Sequence, residues 1–360
     1  NFIRVGILLS MICPLVLFMN IYMPKVAQTH LLSVPVPQSH ATTVNFLILP
    51  ILIHITFKPT HIFYLVNLCK VLSHYLFLSL QPVSDENVTV IDTDFSNIPV
   101  RLHVPKRKSE RKRPAIIFIH GGIFVFGSCN LYSNKCCVST KFCQHNVDLG
   151  YRLAPKYLFP AALEDCVSAT KFFLQEKILA KYRVDPSRIC IMGESSGGAL
   201  AATVTQLLRS DPEFKNRIKA QALIYPGLQL VDTFLPSHRE YPHGPILHRE
   251  MMFKLASLYV TEDSSMIQAL LRNEHMPEES RHLFKFVNWS NFLPEKYKKN
   301  YVYTEPVLGK VNASYPVLMD SRLFPLLAND SQLQSLPLTY ILTCEHDLLR
   351  DDSFIYIARL

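Results

Sequence analysis

A chain of 360 residues with 49% hydrophobic and 18% charged positions is long and apolar enough to bury a large core, which excludes a disordered or low-complexity protein. Much of its net charge of +8 sits in one run, 106–113, that reads as a solvated loop between strands, so no nucleic-acid partner is expected. Its nine cysteines lack both Cys-x-x-Cys pairs and histidines at ligand spacing, so a metal centre is not expected.

From 5 to 23 the chain is almost wholly apolar, with Arg4 ahead and Lys25 behind, about the 20 residues a bilayer core demands. Residues 1–23 therefore read as a membrane anchor, a cleaved signal peptide being the alternative. The short, positively charged flank would stay in the cytosol and leave the bulk of the chain lumenal. Asn-x-Ser/Thr sequons at Asn87, Asn288, Asn312 and Asn329 are compatible with that orientation. In the segment 24–85, the apolar stretch 44–80 is broken by Pro50, Lys58, Pro59 and Lys70. It reads as helices that cover a pocket or lie in the membrane surface, with a second span as the alternative.

A globular part, 86–360, follows. The segments 87–93 and 98–104 alternate like half-buried strands and read as an antiparallel pair. The run 114–119 is continuously apolar, as in a parallel strand buried on both faces, and ends in His120-Gly121-Gly122. The next strand, before Tyr151, would be His145-Asn146-Val147-Asp148-Leu149, in which Asp148 is an awkward residue for a sheet centre. Cys129, Cys136, Cys137 and Cys143 cluster in the connection, where one disulfide is open.

A helix is expected over 161–181, then a strand over 188–192 that runs into Gly193-Glu194-Ser195-Ser196-Gly197-Gly198 and a helix rich in small residues, 199–208. A serine at the tip of such a strand-to-helix turn holds its hydroxyl away from the backbone, which nominates Ser195 as a nucleophile. A strand over 220–225 follows. The interval 227–333 loosens and reads as an inserted cap, about 227–300, with a return helix; strand character resumes over 337–343. The alternation predicts an α/β fold with a mostly parallel central sheet, right-handed crossovers and helices on both faces. Asp347 comes just after the last strand, where it is either a functional carboxylate or a helix cap.

Taken in order, His120-Gly121-Gly122, Tyr151-Arg152-Leu153-Ala154-Pro155, Phe159-Pro160-Ala161-Ala162, the Ser195 turn and Asp347-Leu348-Leu349-Arg350-Asp351-Asp352 resemble the arylacetamide deacetylase family. That family belongs to the hormone-sensitive-lipase-like α/β hydrolases. The resemblance implies an α/β-hydrolase fold with a helical cap. Ser195 would attack an ester or amide carbonyl, Asp347 would orient a histidine base, and the backbone N–H groups of Gly121, Gly122 and Ser196 would form an oxyanion hole. It further implies a serine carboxylic-ester hydrolase, needing no metal or organic cofactor, that acts on small hydrophobic acyl esters or acetylated amines and is anchored in the endoplasmic reticulum membrane with its catalytic domain lumenal.

Two departures stand out. Ile123 occupies a position where the family has a third glycine or an alanine. The family's histidine follows the acid after one more strand, whereas this sequence runs only to Leu360 and opens on Asn1, so the C-terminal strand and helix are expected to be missing. His346 would point away from Asp347 in an extended segment. His243, His248, His275 and His282 read as surface or packing residues of the cap, and His120 as a loop-fixing residue. The alternative is therefore a catalytically impaired, membrane-anchored protein that keeps the hydrolase fold.

Overall fold

Two strands joined by Ser96 and Asn97 open the described part of the chain. Both residues have positive φ, 54° and 64°, as a two-residue type I′ hairpin turn requires. The computed structural model describes residues 84–129, 144–244, 247–310 and 315–360. The expectations for 1–23 and 44–80, for Cys136, Cys137 and Cys143, and for the Asn312 sequon lie outside these residues.

The hairpin strands are β1 (Val88–Phe95) and β2 (Ile98–Pro105), followed by β3 (Arg113–Ile119), β4 (His145–Leu149), helices α1 (Ala161–Phe173) and α2 (Glu176–Lys181), and β5 (Val184–Glu194). Then come α3 (Ser196–Ser210) and β6 (Ala220–Ile224). The expected helix over 161–181 is two helices, because Gln175 turns extended and caps the second. The helix after Ser195 begins at Ser196, three residues earlier than the pattern of small residues indicated.

In the interval after β6 lie α4 (Pro236–Glu240), α5 (Arg249–Val260), α6 (Ser265–Arg272), α7 (Phe284–Val287), α8 (Trp289–Phe292), α9 (Glu295–Lys298) and α10 (Asp330–Gln334). Asn329 and Gln332 close a capping box on α10. Strand β7 (Leu338–Leu342) and α11 (Arg350–Arg359) complete the described chain. Among the described residues no helix is long and apolar enough to cross a membrane.

The strands form one sheet in the order β1-β2-β4-β3-β5-β6-β7, antiparallel at its first two joins and parallel from β4 through β7. Leu149, Ile119, Gly193, Leu223 and Ile341 share one rung across the five parallel strands. Whatever follows that rung emerges along one carboxyl edge, the place where open α/β sheets bind their ligands. Helix α3 is buried from Ser196 through Gln206 and packs on β5, β6, β3 and α1, which its many alanines and glycines permit at close range.

Strand β4 holds Asp148 at the sheet centre after all, at 1% exposure. Its Oδ2 lies 3.0 Å from Nε2 of the buried His103 on β2. Arg101, the register partner of Asp148, makes a bidentate pair with Asp92 at 2.6 and 2.7 Å. A carboxylate without such partners would be expensive here; within a row of polar residues on adjacent strands it is tolerated.

Candidate active site

The register of β3 and β5 sets Ile119 beside Gly193, so His120-Gly121-Gly122 and Glu194-Ser195 leave the sheet as neighbours. Ser195 has φ 54° and ψ −125°, a strained conformation at the point where β5 ends and α3 begins. Its N–H donates to Ile224 O at 2.9 Å, and its carbonyl accepts from Gly198 N at 2.9 Å. The turn is therefore fixed from both the sheet and the helix. A Cβ on Gly197 would collide with the carbonyl oxygens of Ile119 and His120, so only glycine lets α3 start this close to β3.

Gly121 sits directly against the serine: a Cβ there would stand 2.8 Å from Glu194 O and 3.0 Å from Ser195 Cβ. Beyond it the loop is strained. Gly122, Ile123 and Phe124 all have positive φ, 112°, 55° and 60°. Of the eight non-glycine residues with positive φ among those described, Ile123, Phe124, Ser195 and Tyr225 lie on this one edge, a clustering that marks functional sites.

The loop is held by several contacts. Val125 N and Phe126 N donate to Gly122 O, and Ala154 N donates to Phe124 O. Phe124 N donates to Ser196 Oγ at 3.3 Å, and the Phe124 ring stacks on Tyr259 of α5 at 4.2 Å. Ser196 is the first residue of α3, where a backbone N–H has no acceptor within the helix and forms part of the positive end of its dipole.

His120 is buried, stacked at 4.3 Å on Tyr151, and its Nδ1 lies 2.8 Å from Gly121 O. The Tyr151 hydroxyl donates to His120 O at 2.8 Å. Burial pushes the imidazole pKa down to about 4, so the ring is neutral near pH 7, in keeping with a residue that braces the glycine loop. Motif reading did not find the brace on the other flank: the Tyr225 hydroxyl donates to Oε2 of the buried Glu194 at 3.0 Å. A tyrosine one residue past a strand carries no local signal for such a role.

Asp347 lies five positions past the end of β7, on the same edge, and is half-buried. Its Oδ1 accepts from Leu349 N at 3.1 Å, within its own turn. Burial raises its pKa, opposed by the backbone amides of Leu349 and Leu348 and by the charge of Arg350. Gly227 connects this turn to the serine: its N–H donates to Ser195 O at 3.4 Å, and a Cβ on it would lie 3.5 Å from Leu349 Cδ2. Next to it, Leu228 N and Gln229 N donate to Asp352 Oδ2.

The histidines have other engagements. His346 Nδ1 lies 2.9 Å from the Tyr241 hydroxyl, His238 Nδ1 3.0 Å from Thr233 O, and His275 Nε2 2.6 Å from Leu230 O. His282 Nδ1 meets Glu279 O at 2.7 Å, and His243 and His248 pair through their backbones with their rings edge to face, centroids 6.0 Å apart. His275 is a core residue, fully buried, while His282 is exposed.

A serine on a strained turn after β5, a glycine loop after the adjacent β3 and a carboxylate after β7 are the plan of an α/β hydrolase, and the family model described as "alpha/beta hydrolase fold" matches residues 116–283. Human arylacetamide deacetylase-like 2 is 60% identical over 284 residues, 78% of this chain and 71% of that protein. Rabbit (Oryctolagus cuniculus) arylacetamide deacetylase is 48% identical over 290 residues, 79% and 73% of the two chains. A solved bacterial heroin esterase shares the fold with a TM-score of 0.59 at 22% identity, over 82% of this chain and 78% of that one. The chain belongs to the arylacetamide deacetylase family.

Proposed function

We propose that this protein is a serine carboxylic-ester hydrolase in which Ser195 is the nucleophile and the N–H groups of Gly121, Gly122 and Ser196 receive the developing oxyanion. The observation that carries the reading is the strained Ser195 turn with Gly121 packed 3.0 Å from its Cβ position to the serine Cβ. Attack of Oγ on the carbonyl carbon forms a tetrahedral intermediate. Its collapse expels the alcohol or amine and leaves an acyl-serine, and water then releases the acid. Each amide that meets the oxyanion is worth about 3 kcal/mol of transition-state stabilisation in such sites. Asp347 is the carboxylate that orients a histidine general base. Burial raises its pKa, and the charge of Arg350 opposes that rise.

The relatives' names support substrates with an acetylated amine, and hydrophobic acyl esters are the second class proposed. The apolar N-terminal stretch and the sequons support anchorage in the endoplasmic reticulum membrane with the hydrolase part lumenal. Carbonate extraction of membranes tests the anchor: retention in the pellet supports it and release refutes it. Hydrolysis of 4-nitrophenyl acetate and of an acetanilide, each abolished in Ser195→Ala, tests the chemistry.

A second reading is a hydrolase-fold protein that binds acyl compounds without turning them over. It rests on the engagements of the described histidines, His346 with Tyr241 above all. Binding of an acyl ester with no hydrolysis beyond that of Ser195→Ala would favour it.

A further inference from the structure

Arg350 opens α11 with its side chain 1% exposed, three residues after Asp347. Its Nη1 donates to Glu240 Oε2 at 2.9 Å and to Glu345 O at 3.2 Å, and its Nε donates to Asp351 Oδ1 at 2.9 Å. The guanidinium lies 4.1 Å from the centre of the Tyr297 ring on α9 and 5.6 Å from that of Tyr241. Two further bonds tie the same turn to the same helix. Ser237 N donates to Asp351 Oδ2 at 2.7 Å, and Ser237 Oγ donates to Leu348 O at 2.8 Å. The turn 345–351 is thus tied to α4, a helix of the inserted interval, at Leu348, Arg350 and Asp351, and Arg350 bridges back across Asp347 to Glu345. A buried guanidinium is costly to desolvate and unnecessary for filling space; its planar fork, shared among a carboxylate, a carbonyl and a second carboxylate, holds several groups in one geometry.

We propose that Arg350 is a positioning residue for Asp347, tying the turn that carries the carboxylate to helix α4 so that the seating of the inserted segment sets the geometry of the acid. The inference rests on the esterase reading for its consequence in turnover, and on the contacts alone for its consequence in rigidity. Loss of the clamp lets the turn wander, and displacements of about 1 Å in such sites cost as much as a hundredfold in rate. The charge of Arg350 also opposes the burial that raises the Asp347 pKa. The titratable groups around the guanidinium are Glu240 and Tyr241 at the end of α4, Lys296 and Tyr297 on α9, Glu345, His346 and Asp347 in the turn, and Asp351 on α11.

The test compares full-length wild type with Arg350→Lys, Arg350→Gln and the milder Glu240→Gln, whose site is part-exposed and keeps a hydrogen-bonding group. Expected for Arg350→Gln are a fall in kcat of about tenfold or more on 4-nitrophenyl acetate with KM within about twofold, and an acid limb of the kcat profile moved to higher pH. Arg350→Lys should recover part of both, and Glu240→Gln should speed amide hydrogen exchange over 345–349. Failure of the wild type to take a fluorophosphonate would count against the esterase reading, and the exchange arm would still decide the clamp. Variants with wild-type kcat, acid limb and exchange, or with faster exchange but unchanged kcat in a labelled enzyme, would overturn it.

Discussion

The backbone amide of Phe124 donates to the Oγ of Ser196 across 3.3 Å, so the residue that follows Ser195, the proposed nucleophile, holds the loop that faces it. The same loop is pinned by the Phe124–Tyr259 stack and by Ala154 N, so this one bond is a share of the restraint. Ser196→Ala keeps the backbone N–H at the start of α3 and removes only the side-chain acceptor. A hydrogen bond of this kind contributes about 1 kcal/mol, so kcat on an ester should fall by about fivefold or less with KM unchanged. A loss of a hundredfold would mean that the hydroxyl takes part in the chemistry.

Gly197→Ala should be far more severe. Its Cβ would fall on the Ile119 and His120 carbonyl oxygens, which are backbone atoms in the middle of the sheet edge and have nowhere to move. The expected cost is about 3 kcal/mol or more of folding stability, together with loss of esterase activity, read by denaturant unfolding and by turnover of the folded fraction. A variant that folds as well as wild type would contradict the close approach of α3 to β3.

Ile123→Gly should stabilise the protein. A β-branched residue at φ 55° sits where L-residues lose roughly 1–2 kcal/mol, whereas glycine gives back about 0.5–1 kcal/mol through its looser unfolded chain. The net gain of up to about 1 kcal/mol should raise the thermal midpoint by about 3 °C. A lower midpoint would show that packing of the isoleucine side chain outweighs its backbone strain.

How far the molecule can be read from its residues depends on whether the signal is local. The strand–turn–helix around Ser195 is local, since flanking glycines, an apolar strand and a run of small residues each announce themselves, and the parallel sheet follows from the alternation. Asp148 was misleading because its solvation is replaced by His103, 45 residues away on β2, a partner no window of sequence can see. The break in the helix over 161–181 turns on one extended residue, Gln175. The braces Tyr225–Glu194 and Arg350–Glu240 are long-range pairs of ordinary residues, visible only once β6, α4 and α11 are in place.

The contribution of Asp352 to stability should fall as pH rises from 5 to 8, opposite in direction to that of His120, His145, His238 and His275, which burial holds down to about 4. Burial lifts the Asp352 carboxyl to about 7, against the pull of Leu228 N and Gln229. With the folded value above the unfolded one, the protonated group favours the fold: its contribution is complete below about pH 4 and is lost as pH climbs through about 7. Asp232, lifted by burial to about 6, acts in the same direction. Asp352→Asn should therefore lower the overall midpoint, because one acceptor of the Gln229 contacts is lost, and its deficit relative to wild type should shrink between pH 5 and pH 8. An unchanged slope would place the ionisation elsewhere.

Reaction of the full-length protein with a fluorophosphonate, followed by peptide mass mapping, tests the assignment of Ser195 most directly. The account predicts a covalent adduct on Ser195 alone, formed at neutral pH and absent from both the Ser195→Ala variant and the denatured protein. An adduct on any other serine, or none in protein that is demonstrably folded, would contradict it.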